Sequence, residues 1–384
     1  MEPTRQQQRT RRMTARRRRR LTLTATSAVL LVAAVVGAVL VVRAVAGAGE
    51  PVAADPRTSS PAPSPTPTPL SPEEALLASS ADPNACAVSF AGDGIAEAPR
   101  LQTQGALYQY LPIPHRDGAV FAGWYASPAA AASQSTIDRI NGADLVSCEH
   151  RRITVYGAWT TPAAVAAADV GVPILMYHQF TTNPAGEDNS LKLNYIYTAD
   201  FDAQMAHIAD NRFYLPTWDE LSAFIDGKLS LPRNSVIITD DDADATWLTL
   251  GVPIINKHRL LATSFVITKW RHEPTPSPYV LQRSHTDDMH EAGANGKGRM
   301  VNYTADQIAA DMEASAKILG AKEVMAYPFG HYNDTAKQGL RQAGFEMART
   351  TEHGYVRPGT DKLALPCIRI NYGTSLSEFI SEIG

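Results

Sequence analysis

Thr239-Asp240-Asp241-Asp242-Ala243-Asp244 follows directly on the apolar run Val236-Ile237-Ile238. The apolar run reads as a buried strand, and the acidic stretch falls at its carboxyl end. Four carboxylates within residues 240–244 repel one another, and the cluster is costly unless a cation or protons neutralise it. Successive strand residues point in different directions. Neighbouring aspartates can therefore divide roles, one on a metal ion and one free to accept a proton.

Around this stretch the chain alternates strand-like and helix-like runs. Val172-Pro-Ile-Leu-Met-Tyr-His178, Ala262–Ile267, Tyr279–Leu281 and Val324–Tyr327 read as strands. Residues 199–210 carry Phe201, Met205 and Ile208 at helical spacing, and 304–319 is a strong helix. Thr217 with Glu220 forms a capping box that starts another helix. Helical spacing resumes at Trp247, Leu250, Ile254 and Ile255, where Pro253 is expected to bend or shorten the helix. Residues 168–384 therefore predict an α/β domain, a parallel sheet or barrel with its active site at the carboxyl ends of the strands.

Two further motifs fall at such ends. Ser284-His285-Thr-Asp-Asp-Met-His290 places two histidines five residues apart, able to close on one ion. Ala326-Tyr327-Pro328-Phe329-Gly330 is a rigid turn able to aim backbone N–H groups into the mouth. One Asp and two His leave open positions on a zinc-like ion, as a catalytic site needs. Taken singly, an acidic run is usually solvated and two nearby histidines are usually coincidental; their common order in one domain makes the site.

In that order the sequence resembles the polysaccharide deacetylase family (NodB-like, carbohydrate esterase family 4). The resemblance spans about 172–384 and implies a distorted (β/α) barrel. It implies Asp241 as catalytic base and Asp242, His285 and His290 as the ligands of a divalent metal, zinc. Three departures stand out. Asp240 replaces the usual Phe, Ala243 replaces Gly, and the Arg of the third motif is absent, with Ala326-Tyr327 before Pro328. The late Leu-x-His that supplies the general acid is also missing. Leu175-Met-Tyr-His178 resembles instead the permuted arrangement of the poly-N-acetylglucosamine deacetylases, which implies His178 as the acid.

The expected activity is hydrolysis of N-acetyl groups on a cell-wall or surface polysaccharide. Asp241 and His178 would move protons, and a backbone N–H near Phe329 would help hold the oxyanion. Tyr327 and Trp270 are candidate sugar contacts. Asp287, Asp288 and Glu291 either orient the ligand histidines or are solvated. Two rival readings remain, a non-catalytic wall-binding protein with a degenerate barrel and an esterase for O-acetyl groups.

The rest of the chain gives the context. Its net charge of -4 joins two opposed parts. Residues 1–43 hold ten Arg and one Glu, net +9, and the remaining 25 basic and 38 acidic residues carry -13. An acidic body argues against nucleic acid as a partner. The basic residues 1–20 precede an uncharged apolar run, Leu21–Val42, about 33 Å long as a helix and sufficient to span a bilayer. This predicts a cytoplasmic tail, a transmembrane helix at 21–42 and an extracytoplasmic body at the cell membrane. A cleaved signal peptide is the alternative, since small residues follow at Ala44, Ala46 and Ala48. Residues 43–79 form a Pro-rich linker that favours an extended polyproline II chain.

Residues 80–162 read as a small β-rich domain. Cys86–Phe90, Leu107–Leu111, Val120–Phe121 and Ile153–Tyr156 are its expected strands. With Pro114–Gly118, Phe121-Ala-Gly-Trp-Tyr125 and Val155-Tyr-Gly-Ala-Trp159 the stretch resembles the β-grasp repeat of internalin-type surface proteins. There is no CxxC pair among the three cysteines, which leaves Cys86 and Cys148 either bonded or free.

Overall fold

The computed structural model describes residues 69–271 and 273–384. The expected tail, transmembrane helix and most of the Pro-rich linker lie outside the described residues. Among the described residues, no helix is long and apolar enough to cross a membrane.

Residues 85–160 build a four-stranded sheet from β1 (Ala85–Ala91), β2 (Arg100–Thr103), β3 (Val120–Tyr125) and β4 (Arg152–Thr160). The spatial order is β2-β1-β4-β3. The central β1–β4 pair is parallel, and β2 and β3 flank it antiparallel. Cys86 on β1 is disulfide-bonded to Cys148. The expected strand at 107–111 is not one. Leu107 makes a single bridge to Leu145, and the edge strand is instead Arg100–Thr103.

The larger part is a closed barrel of seven strands, all parallel. They are β5 (Ile174–Tyr177), β8 (Ile237–Asp241), β9 (Ala262–Val266), β10 (Val280–Ser284), β11 (Val324–Ala326), β12 (Met347–His353) and β13 (Leu365–Arg369). The order around the barrel is β10-β11-β12-β13-β5-β8-β9. A separate small pair, β6 (Gln179–Thr181) and β7 (Tyr195–Tyr197), lies beside it. The barrel is irregular: β10 and β11 meet at one register pair, Ser284 with Met325, and the β12–β13 register shifts between Arg349 and His353.

Strand alternation sorts the side chains. Ile174, Met176, Ile237, Phe265, Val324, Ala326, Met347, Leu365 and Cys367 share one buried cluster in the barrel. Leu175, Tyr177, Ile238 and Ile368 belong to another, packed under helices α1 (Thr198–Asp210) and α3 (Val252–His258). Helix α2 (Trp218–Ile225) begins with the expected capping box of Thr217 and Glu220. Its Trp218 enters the barrel cluster and donates from Nε1 to Thr263 Oγ1 at 2.9 Å. The helical run at 247 is split. A π-helical turn, Trp247–Gly251, runs directly into α3, whose second residue is Pro253. Helix α4 (Ala305–Leu319) has its Thr304 capping box and ends at Gly320 in the left-handed conformation. Helices α5 (Asp334–Gln342) and α6 (Leu376–Ile383) complete the chain.

The sheet and the barrel share one hydrophobic cluster, in which Phe90, Phe121 and Trp124 meet Trp218 and Leu229. Backbone bonds cross the seam, from Phe121 N–H to Lys228 O and from Ser230 N–H to Phe121 O. Arg139, only 4% exposed, donates to Ser230 O and Glu220 and lies over the Tyr214 ring.

Candidate active site

Four parallel strands deliver the candidate residues to one mouth. Asp241 is the last residue of β8, and Asp242 follows it. His178 follows β5, His285 follows β10, and the Tyr327–Gly330 turn follows β11. The backbone is unusual there. Asp242, Ala243, Thr286 and Phe329 all adopt left-handed conformations, with φ between 50° and 75°. Non-glycine residues hold such conformations at a cost that the surrounding structure must sustain. This explains why a glycine suits position 243. Gly330 is constrained as well, with φ 70° and no room for a Cβ beside Thr351.

Asp242, His285 and His290 converge. Asp242 Oδ1 lies 3.4 Å from His285 Nε2 and 3.2 Å from His290 Nε2. Their ligand atoms all fall within 4.8 Å of one another. Asp242 Oδ1 is buried yet accepts no hydrogen bond. His285 bonds Ala326 O through Nδ1 at 2.8 Å. A carbonyl only accepts, so Nδ1 carries the proton and Nε2 is free to ligate. One carboxylate oxygen and two imidazole nitrogens around a buried, unpartnered oxygen fit a divalent cation.

The charges tell the same story. Burial works to raise the Asp242 carboxyl, but His285 and His290 hold it well below the usual carboxylate range. Burial works to lower His285, yet its contact with Asp242 and the charge of Asp241 push it up. Burial and the neighbouring His285 push His290 down.

Asp241 is 3% exposed and is gripped through both carboxylate oxygens by the Arg349 guanidinium, itself fully buried on β12. Burial alone would raise its pKa, but Arg349 and then His178 bring it below the ordinary value. His178 Nε2 is 3.7 Å from Asp241 Oδ2. Burial lowers the His178 pKa against the pull of Asp241 and Asp242. Arg349 was not anticipated from the sequence. Its signal was a lone Arg in an apolar strand run, Met347-Ala-Arg349, because a buried charge needs a partner. It brings a guanidinium to the site although the third motif has none.

Other expectations are corrected. The four aspartates do not jointly enclose a cation. Asp240 points away from Asp241 and is fully buried, and neither of its oxygens has a hydrogen-bond partner. Burial, then the neighbouring carboxylates, push its pKa well above the usual range. Asp244 instead accepts from the Thr246 N–H and hydroxyl. Tyr327 cannot meet a sugar: it is 1% exposed, donates its hydroxyl to Leu363 O and stacks on Tyr332.

Asp287, Asp288 and Glu291 do not bond to the ligand histidines. Asp287 accepts from Thr268, Asp288 pairs with Lys269, and Glu291 pairs with Arg299. The loop is held instead by Asp311 on α4, whose two oxygens accept the Asp287 and Asp288 N–H groups, each at 2.8 Å. Trp270 is exposed and its ring lies 6.4 Å from that of His290. The Phe329 ring packs 4.4 Å from that of His290.

Residues 228–348 match the family model described as polysaccharide deacetylase. That stretch resembles the polysaccharide deacetylase family. The matched stretch holds Asp241, Asp242, His285, His290 and the 327–330 turn, and it leaves His178 and Arg349 outside. YxkH of Bacillus subtilis (strain 168), provisionally described as a polysaccharide deacetylase, is 25% identical over 219 residues, covering 54% of this chain and 74% of its own. The poly-beta-1,6-N-acetyl-D-glucosamine N-deacetylase of Staphylococcus aureus (strain MRSA252) is 27% identical over 165 residues, covering 38% of this chain and 57% of that protein. The match thus spans little more than half the length of the staphylococcal relative. Among solved structures, the Streptococcus pyogenes deacetylase PplD in complex with acetate aligns with a TM-score of 0.49 at 23% identity, over 56% of this chain and 99% of that one.

Proposed function

We propose that the deacetylase domain is a metal-dependent N-deacetylase acting on an N-acetylglucosamine-containing polysaccharide outside the cell, with the chain tethered to the membrane by residues 21–42. The observation that carries the reading is the buried, unpartnered Asp242 Oδ1 facing two imidazole nitrogens, beside an Asp241 held by Arg349. The name of the staphylococcal relative supports the substrate class. The Arg-rich and apolar start of the chain supports the tether. The Cys86–Cys148 disulfide is at home in an oxidising compartment. The β2-β1-β4-β3 sheet with its parallel centre supports reading the small unit as a β-grasp spacer.

Asp242, His285 and His290 would hold the cation, zinc by its mixed carboxylate and imidazole donors, which supplies Lewis-acid polarisation of the amide carbonyl and a more acidic water. Asp241 takes the proton of the attacking water, with Arg349 fixing the orientation of its carboxylate. His178 gives a proton to the departing amine nitrogen, which otherwise leaves poorly. The amide C–N bond breaks, a C–O bond forms, and acetate and a free amino sugar result. Trp270 and Phe329 flank the mouth as apolar contacts for sugar rings, and the Phe329 N–H is the candidate oxyanion donor.

The test is acetate release from N-acetylglucosamine oligomers and from an O-acetylated polysaccharide. The expected result is release from the former, abolished in Asp241→Asn, and a collapsed kcat with retained metal in His178→Ala. Release from O-acetyl substrates alone would favour the esterase. Full activity of Asp241→Asn would remove Asp241 from its role as base.

A further inference from the structure

A second pocket of about 270 Å³ opens between the 295–301 loop and the turn after β11. Its lining includes Asn295, Lys297, His331, Tyr332 and Asn333. It adjoins the metal-site mouth through short ring contacts. His290 to Phe329 is 4.4 Å and Phe329 to His331 is 5.9 Å. A sugar next to the one being deacetylated spans such a distance.

The chemistry of the lining is one-sided. Asn295 uses its carbonyl oxygen to accept from Lys297 N–H and Asn302, which leaves its NH₂ group. Asn333 uses its oxygen to accept from Ala336 N–H, again leaving its NH₂ group. His331 accepts the Gly298 N–H at Nδ1, so its proton sits on Nε2. Tyr332 commits its hydroxyl proton to Glu352. Lys297 is exposed, and its ammonium has no partner among the described residues. No carboxylate lines the pocket. The side-chain acceptors of Asn295, Asn333 and His331 are thus already used by the protein, and what they and Lys297 offer a ligand is donors and one positive charge. On a body of net charge -13 this is a local reversal of sign. Donors without acceptors, gathered around an unpaired ammonium, match an anionic acceptor, since charge-assisted bonds are the strong ones.

We propose that this pocket is a subsite for a sugar bearing a carboxylate, adjacent along the polymer to the N-acetylglucosamine held at the metal site. The inference rests on the polysaccharide N-deacetylase reading and deepens it. It names the substrate as an acidic heteropolymer and assigns Lys297 as the specificity-determining residue. A neutral homopolymer would leave Lys297 without a counter-charge.

The experiment uses the full-length protein with two probes. One is a glycan oligomer of N-acetylglucosamine alternating with N-acetylmuramic acid. The other is the same oligomer with its carboxylates methyl-esterified. Dissociation constants are measured beside acetate release. The expected result is about tenfold tighter binding of the acid than of the ester. That preference should disappear in Lys297→Gln and survive in Lys297→Arg, with thermal melting confirming that both variants fold. Equal binding of acid and ester, or a preference that persists in Lys297→Gln, overturns the subsite. Tight, Lys297-dependent binding without acetate release from any substrate upholds the subsite and overturns the deacetylase reading instead.

Discussion

At the scale of single residues, the site turns on a pairing that the motifs do not contain. Asp241 and Asp242 are adjacent, yet the first faces Arg349 and the second faces His285 and His290. A buried aspartate without its guanidinium would take up a proton and cease to be a base. Arg349→Met should therefore lower kcat by at least about a hundredfold while bound metal stays unchanged; an unchanged kcat would detach Arg349 from the reaction. The convergence of Asp242, His285 and His290, with Asp241 beside them, was legible because residue type, order and strand ends coincide. Arg349 was not, because it arrives from a strand more than one hundred residues away and sits in no local motif. Asp240 was misread for a related reason. A run of aspartates looks like one cluster in sequence, but strand alternation turns one of them away from the mouth and burial pushes its pKa up.

At the scale of elements, helix α4 works as a clamp on the ligand loop. Asp311 receives two loop amides, and one turn later Ser315 Oγ meets Ser284 Oγ at 2.7 Å, just before His285. The i, i+4 spacing puts both on one helix face. An asparagine at 311 keeps one acceptor and turns an N–H₂ group against the second amide. Asp311→Asn is accordingly expected to weaken metal affinity by about 10- to 100-fold, as measured by competition with a chelator. Unchanged affinity would reduce the clamp to a loop contact. The helix at 304–319 was readable in the sequence, whereas its Thr304 capping box emerged only in the structure. The strand expected at 107–111 failed because alternation of Leu107, Gln109 and Leu111 reports which side is buried, not whether a neighbouring strand is present to pair with it.

At the scale of the molecule, the small sheet and the barrel share a core, and their seam holds a charged group out of balance. Asp219 at the start of α2 lines the cleft beside Tyr108 and Trp124. Burial, then Glu323 and Glu346, raise its pKa to about 6. A carboxyl with a raised folded-state pKa binds its proton more tightly when folded. Its protonated form costs nothing below the unfolded value near 4, and stability falls as pH rises from there through about 6. Asp219→Asn should therefore raise the melting temperature at pH 7, by an amount corresponding to about 1 kcal/mol after screening, and leave it unchanged at pH 4. An equal gain at both pH values would mean that charge is not the cause. The order of strands and helices was visible in the sequence across 168–384. The fusion of the two parts was not, because the contacts of Phe121 with residues 228–230 are long-range and carry no local pattern.

Asp242, His285 and His290 are proposed to hold one divalent metal that N-deacetylation requires. The most direct test measures bound metal and acetate release together in the wild type and in Asp242→Ala. The expected result is about one zinc per chain and measurable release in the wild type, with both lost in the variant and release restored to the chelator-stripped wild type by zinc. Acetate release that survives in Asp242→Ala or after complete chelation would contradict the claim.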